Sequence, residues 1–374
     1  MENADDLCSS TIVVNLTSEE AAMRWLWGNT DKLIITVILP CVVTIGVLGN
    51  LAFLFTVVRL KRMHTITNYY LCHLAIADIL FLVVSAGLYI WVYFSSPITH
   101  DVPYKSSLGC CLTFFPIFLC YFSSVGIVTL VSLERYYAIC NPIQHRAIQG
   151  MHRTTKFLAS TWFVAILLAA LATPRFGLLK QVCLQWPESE PFKHLADNYH
   201  DCFSVGPEFS VYPEVIQSLI FVISFTVSLF CYIKIVFALT HRSIEGDNTA
   251  DNNVTQMQNV RNQIARLLIL NGIVFFVCQA PYRVASVNNI IRIIGGEVIL
   301  NKDGAGTLLL VSRASLFLNS AINPYLYALS SPFYRSAFRE ALFGESNVKT
   351  RKPTMTTPVA SVTVSKNDTT DQIE

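Results

Sequence analysis

The chain has 374 residues and a formal net charge of +2, with 53% hydrophobic and only 14% charged residues. Soluble domains run nearer a quarter charged, so this composition excludes an ordinary soluble globule, and the near-neutral balance gives nucleic acid nothing to hold. The mean hydropathy of +0.47 describes a chain solvated mostly by lipid.

Seven apolar runs lie near 33–60, 67–95, 108–140, 156–176, 213–240, 264–295 and 305–329. Each is long enough for a helix crossing about 30 Å of hydrocarbon, which takes about 20 residues. The expected fold is an all-α membrane protein, a seven-transmembrane helix bundle with a short amphipathic helix 8. The expected organisation is an N-terminal segment 1–31, a bundle 32–330, the eighth helix 331–344 and a disordered tail 345–374. Met1 to Asp6 is polar and acidic, so no cleavable signal peptide is expected and the first helix inserts the chain itself. Arg59, Lys61, Arg62, Arg146, Arg153, Lys156, Arg242, Arg261, Lys349, Arg351 and Lys352 all fall on one side of the runs. That places the N-terminus outside and the C-terminus in the cytoplasm of a plasma-membrane protein.

In chain order, Asn15-Leu16-Thr17 is a glycosylation acceptor on the outer side. The first run contains Asn50, and the second contains Asp78, a carboxylate with no basic neighbour on its own helix. Such a group must be protonated, paired or bound to a cation. Ser124, Asn319, Ser320 and Asn323 also interrupt apolar runs, and their oxygens with Asp78 would complete a site for Na⁺. The ordinary alternative for the hydroxyls and amides is interhelical hydrogen bonding. The third run ends in Glu134-Arg135-Tyr136, charges at a membrane mouth that need a partner or a use. Cys8, Cys110, Cys111, Cys183 and Cys202 face the oxidising side. A bridge from Cys110 to Cys202 is the preferred pairing, with Cys183 as rival. Pro281 in the sixth run and Pro324 in the seventh supply two kinks, and Tyr327 one turn below Pro324 is placed to swing when that kink changes.

Together these residues resemble the rhodopsin-like (class A) G-protein-coupled receptors over about residues 30 to 343. Gly49-Asn50, Leu74-Ala75-Ile76-Ala77-Asp78, Glu134-Arg135-Tyr136, Trp162, Tyr232, Pro281 and Asn323-Pro324-Tyr325-Leu326-Tyr327 match that family's landmarks in order. Two positions depart from it: Gln279 stands where the family usually has Trp, and Ser224 where it usually has Pro. The resemblance implies coupling to a heterotrimeric G protein through Glu134, Arg135, Tyr136, Tyr232 and Tyr327, with Pro281, Pro324 and Phe275 as the activation hinge. Arg261 and Arg266 stand where many relatives have an acid, so Glu134 is the expected partner of Arg135. Phe333 to Phe343 reads as helix 8, with Phe333, Phe338, Leu342 and Phe343 toward lipid. Ser and Thr residues of the tail would take phosphate from receptor kinases and so recruit arrestin.

The ligand reading turns on two arginines. Ile117 and Phe118 leave no anion for a ligand amine on the third helix, and no lysine lies between Gly304 and Tyr327 for a retinal Schiff base. Arg283 and Arg313 stand in the outer halves of the sixth and seventh helices, and guanidinium suits carboxylates, amide carbonyls and aromatic faces. Tyr282, Phe118, Ile117, Tyr121 and Asn289 are the expected lining; the alternative is that Asn289 or loop acids such as Asp197, Asp201 and Glu208 satisfy both arginines. Pro281-Tyr282-Arg283 with Arg313 resembles the thyrotropin-releasing-hormone, ghrelin and neuromedin U group of receptors. This implies a short extracellular neuropeptide, with an amide-capped C-terminus as one candidate form, and signalling through the phospholipase C/calcium branch. A small carboxylate or lipid ligand is the runner-up, and a membrane transporter the distant one. No enzyme is expected, since the histidines show no metal-ligand spacing and no phosphate loop is present.

Overall fold

Inside hydrocarbon no water satisfies a backbone amide, so an apolar run closes its hydrogen bonds as a helix. A computed structural model describes residues 12–16, 18–148, 150–190, 192–244, 252–295 and 302–344, with side chains described except for Arg146, Ile148, 242–261 and 302–307. Seven long helices form: α1 (Asn29–Arg59), α2 (Ile66–Ser95), α3 (Ser107–Cys140), α4 (Met151–Phe176), α5 (Tyr212–Ile244), α6 (Asn252–Ile293) and α7 (Lys302–Ser330). α8 (Pro332–Phe343) follows after a break at Ser331, whose successor Pro332 cannot continue the α7 hydrogen-bond ladder. The seven-helix expectation holds, with one qualification from composition. Among the described residues α1 to α6 are apolar enough to be recognised as spans by hydropathy, whereas α7 carries Arg313, Asn319, Ser320 and Asn323 and turns them inward.

Prolines and π turns shape the long helices. Pro116 lies inside α3, an interior proline in addition to Pro281 and Pro324. α1 opens into a π turn at Ile34–Ile38 just before Pro40, which has no N–H to donate. α5 runs to Ile244 and α6 begins at Asn252, so helix takes up most of the polar stretch between the apolar runs 213–240 and 264–295; residues 245–251 and the tail 345–374 lie outside the described residues.

The core runs down the bundle axis and ends beside α8. Phe53, Tyr70, Leu71, Leu74, Val125, Phe275, Tyr327 and Tyr334 are all buried in one cluster. This corrects the reading of α8. Tyr334, Ala337 and Ala341 form its buried face and Phe338 packs toward Phe53 at 6.4 Å, leaving Leu342 and Phe343 as its exposed apolar residues. Arg62 ties α8 to the α1–α2 turn through Glu340 at 2.5 Å, and Arg59 donates to the Ala341 carbonyl at 2.7 Å.

At the opposite, N-terminal face, β2 (Leu178–Gln185) and β3 (Asn198–Phe203) form an antiparallel hairpin, and β1 (Ile12–Asn15) adds a parallel third strand beside β2. The Cys110–Cys202 disulfide ties β3 to the start of α3. Cys183 is disulfide-bonded as well and so is not the acceptor for Cys110. Leu16, Ala22, Ile98, Val182, Leu184, Phe192 and Tyr199 close a second apolar core there, making the N-terminal segment part of a roof over the bundle.

Asp201 sits in that roof, accepting the Cys202 N–H at 2.7 Å. Burial first, then the nearby Asp101 charge, push its carboxyl up to about 6, against the pull of the Cys202 bond. A folded-state pKa above the unfolded value means that the folded roof binds the extra proton. Asp201 therefore supports folding fully below pH about 4, and that support is lost as pH rises through about 6. Tm measured in detergent from pH 4 to 8 should fall across this window, and Asp201→Asn should flatten that part of the slope.

Candidate functional site

On α6, Phe275, Gln279 and Arg283 recur every four residues, and all three are buried, at 2%, 5% and 7% exposure. That spacing puts them on one helix face, turned into the bundle. Arg283 is the outermost of the three. Its guanidinium lies over the rings of Tyr282 at 4.6 Å and Tyr121 at 4.8 Å, and its Nη2 donates to Gln217 Oε1 at 3.4 Å. Because arginine has no acceptor, the Gln217 oxygen must face it, which turns the Gln217 Nε2 donor away. Among the described residues, Arg283 Nε, Arg283 Nη1 and Gln217 Nε2 are buried without a partner, and one turn inward Gln279 Oε1 is buried without one too. Tyr121 Oη donates to the Gln217 carbonyl at 3.0 Å, fixing α3 against α5 on the far wall.

The acid of this region is one that the sequence reading did not select. Glu214, 4% exposed, pairs with Arg175 at 3.0 Å and accepts from the Ser286 hydroxyl, joining the ends of α4, α5 and α6. Asp197, Asp201 and Glu208 form no ion pair with Arg283 or Arg313 among the described residues. Glu214 and Gln217 stand three apart in an apolar run, and Arg283 and Ser286 repeat that spacing on α6. Paired polar residues at helical spacing were the available signal.

The expected lining is brought together only in part. Tyr121, Tyr282 and Arg283 meet. Phe118 is buried but faces α4, stacking with Phe176 at 6.2 Å, and Ile117 beside it is half-buried. Asn289 is a correction: its Oδ1 accepts from Arg292 at 2.8 Å, while on the same helix Asn288 is the buried neighbour. Arg313 lies apart from Arg283's partners, over the Tyr89 ring of α2 at 5.0 Å. Burial first and Arg313 second hold the His100 imidazole, in the roof, below its ordinary value, and His100 packs edge-on to Trp25 at 5.6 Å. Arg313 thus lies against α2 and Arg283 against α3 and α5.

Deeper in, the polar residues of the apolar runs meet. Asn323 Nδ2 donates to Asp78 Oδ2 at 2.7 Å, and Asn50 Nδ2 donates to the Gly46 carbonyl at 2.9 Å and the Ser320 carbonyl at 3.0 Å. Ser124, Asn319 and Ser320 are buried as well. Ser224, in the unusual α5 position, bonds Thr129 of α3 at 2.5 Å, a side-chain link across the two helices.

At the α8 face a cavity of about 270 Å³ is lined by Thr65, Asn68, Glu134, Arg135, His145, Ile264 and Tyr334 among others. Glu134 Oε1 accepts from His145 Nε2 at 2.7 Å, a partner that the tripeptide alone could not name. Tyr136 packs on Phe230 of α5 at 5.9 Å. Arg266 is exposed, and the Arg261 side chain lies outside the described residues. Tyr327 is buried against Phe53 at 5.3 Å and Tyr334 at 5.6 Å. Tyr232 is buried between α3 and α6, hydrogen-bonded to Ser132 at 2.8 Å.

Residues 49–327 match the family model described as 7 transmembrane receptor (rhodopsin family). The chain belongs to that family. It is a receptor and no enzyme, and the transporter alternative falls away. The chain is 29% identical over 354 residues to neuromedin-U receptor 1 of Rattus norvegicus, covering 88% of this chain and 78% of that one. It is 26% identical over 365 residues to neuromedin-U receptor 2 of Mus musculus, covering 91% and 84%. It is 27% identical over 334 residues to the thyrotropin-releasing hormone receptor of Gallus gallus, covering 82% and 78%.

Two predictions follow from the receptor's buried contacts. A buried ion pair stripped of one member leaves an unpaired charge, at a loss of about 3–5 kcal/mol, whereas removing both members is far milder. Glu214→Leu should therefore lower Tm in detergent more than the double variant Arg175→Met/Glu214→Leu. At Gly272 of α6, an added Cβ would stand 1.7 Å from Tyr232 Oη and 2.6 Å from its ring carbon Cζ. Gly272→Ala should expel Tyr232, break its Ser132 bond, lower Tm and change ligand-independent signalling. Adding Tyr232→Ala should recover part of the lost Tm.

Proposed function

We propose that this receptor takes a short extracellular neuropeptide, amidated at its C-terminus, and passes the signal to a heterotrimeric G protein of the phospholipase C branch. The observation that carries the reading is the buried guanidinium of Arg283, whose Nε and Nη1 have no partner among the described residues, beside an equally unpartnered Gln217 Nε2. Buried donors without acceptors are unfavourable by about 1–3 kcal/mol each, so a ligand bearing acceptor oxygens has affinity waiting for it there. The surroundings favour a peptide. Tyr121 and Tyr282 offer aromatic walls, and Arg313 adds a second cation nearer the roof. The relatives' names add independent support, being those of neuromedin U and thyrotropin-releasing hormone receptors.

The remaining assignments follow from this reading. The N-terminal face is the extracellular one, consistent with its disulfide and with the arginines Arg59 and Arg62 at the α8 face. Asn15 is exposed on β1 and available for glycosylation. Movement of α6 and α7 about Pro281 and Pro324, with Phe275 between ligand site and core, would open the cavity at Arg135 to a G-protein helix. Asp78 with Asn323, Ser124, Asn319 and Ser320 presents the oxygen-rich donor set that Na⁺ prefers. Receptor kinases and arrestin would act on the tail.

The test is a calcium-release screen of neuropeptides, amidated and free-acid forms side by side, in cells expressing the full chain. A response to short peptides, lost with Arg283→Ala and weakened at least tenfold with Arg313→Ala at equal surface expression, is the expected result. Silence to peptides with a response to carboxylate metabolites or lipids would replace the ligand class.

A further inference from the structure

We infer that Gln279 is the residue by which this receptor distinguishes a terminal carboxamide from a carboxylate; the inference rests on the peptide reading above. Gln279 lies one helical turn inward of Arg283 on the same buried face of α6, and one turn outward of Phe275. It therefore lies one turn deeper than the Arg283–Gln217 bond, on the same inward-turned helix face. Every unpartnered atom of Arg283 and Gln217 is a donor, and the unpartnered atom of Gln279 is an acceptor.

A carbonyl oxygen satisfies the first set and an N–H the second. A primary carboxamide carries both within one planar group. The match does not depend on which way the Gln279 amide is turned. A side-chain amide offers one acceptor and one donor edge, and a primary carboxamide can pair with both. A carboxylate can only accept, so it engages the Gln279 donor and leaves Oε1 buried and facing an anion. Sites built to hydrogen-bond a group reject analogues that lack it, because their own polar atoms are then stranded. Arg283 alone favours the opposite order, since a guanidinium binds a carboxylate more strongly than a neutral amide. Gln279 sets the balance. One turn deeper on the same helix face Phe275 is apolar and offers the ligand terminus no hydrogen bond.

The experiment uses cells expressing the full chain and a synthetic panel of short peptides, each made as carboxamide and as free acid. The readout is the ratio of the two half-maximal concentrations for each pair, with surface expression measured by an N-terminal tag. Gln279→Leu, which fills similar volume without hydrogen bonds, should shrink the amide preference about tenfold or more by weakening the amide form selectively. Gln279→Glu, an acceptor that also repels an acid, should preserve or widen the preference. If peptides activate the wild type but Gln279→Leu shifts amide and acid equally, the inference fails and the peptide reading stands. If no peptide in either form activates the wild type, the peptide reading fails and takes this inference with it. Non-expression of the Leu variant leaves Gln279→Glu to decide, since a preference narrowed by that substitution contradicts the inference.

Discussion

The guanidinium of Arg283 is buried deep in a membrane bundle with only part of its hydrogen-bonding capacity used. Two tyrosine faces and one long bond to Gln217 hold it there. Charge inside a bilayer persists where something else fixes it or uses it, and here three neighbouring helices fix it. α3 contributes Tyr121, α5 contributes Gln217, and α6 carries the arginine itself. The adjacent Arg175–Glu214–Ser286 network then locks the ends of α4, α5 and α6 around that cation. The result is a rigidly held, donor-rich cluster of groups already desolvated.

The same principle organises the rest of the bundle. Polar groups in the apolar runs meet across helices: Asp78 with Asn323, Asn50 with the Ser320 backbone, Thr129 with Ser224, Ser132 with Tyr232. Two of these bonds join α7 to α1 and α2 and two join α5 to α3, while Pro281 and Pro324 interrupt the helical ladders of α6 and α7. Phe275 lies in the core between the ligand face and the α8-face cavity. Gly272 leaves the space that Tyr232 fills, so the tyrosine's resting place depends on the absence of a single methyl group. A shift of α6 at Arg283 can therefore reach Tyr232 and Arg135 through contiguous packing.

Much of this was legible in the sequence, for physical reasons. Apolar runs of sufficient length have one solution in lipid, so the seven helices, and α8 after Pro332, could be read directly. Asp78, Asn323 and Asn50 were conspicuous because polar atoms in hydrocarbon must find one another. Pairing in three dimensions was harder to read. Nothing local in Glu134-Arg135-Tyr136 reveals that His145, on the short helix Pro142–Ile148 that follows α3, reaches Glu134. Asn289 and Asn288 are adjacent, and a one-residue rotation of about 100° decides which of them faces the bundle. Phe338 was read as lipid-facing from its apolar character alone, yet it packs inward beside Phe53. The roof was missed because β1 is only four residues long and takes its register from β2, a long-range partner.

The most direct measurement is the thermal stability of the ligand-free receptor in detergent, wild type against Arg283→Met. Methionine keeps much of the side-chain length and its contact with Tyr121 and Tyr282 while removing the buried charge and its unpartnered donors. If Arg283 is held in place for a ligand at the expense of the empty fold, the Met variant melts at a higher temperature than wild type. A lower melting temperature would show that Arg283 is a structural residue already satisfied by the protein, and would contradict the account.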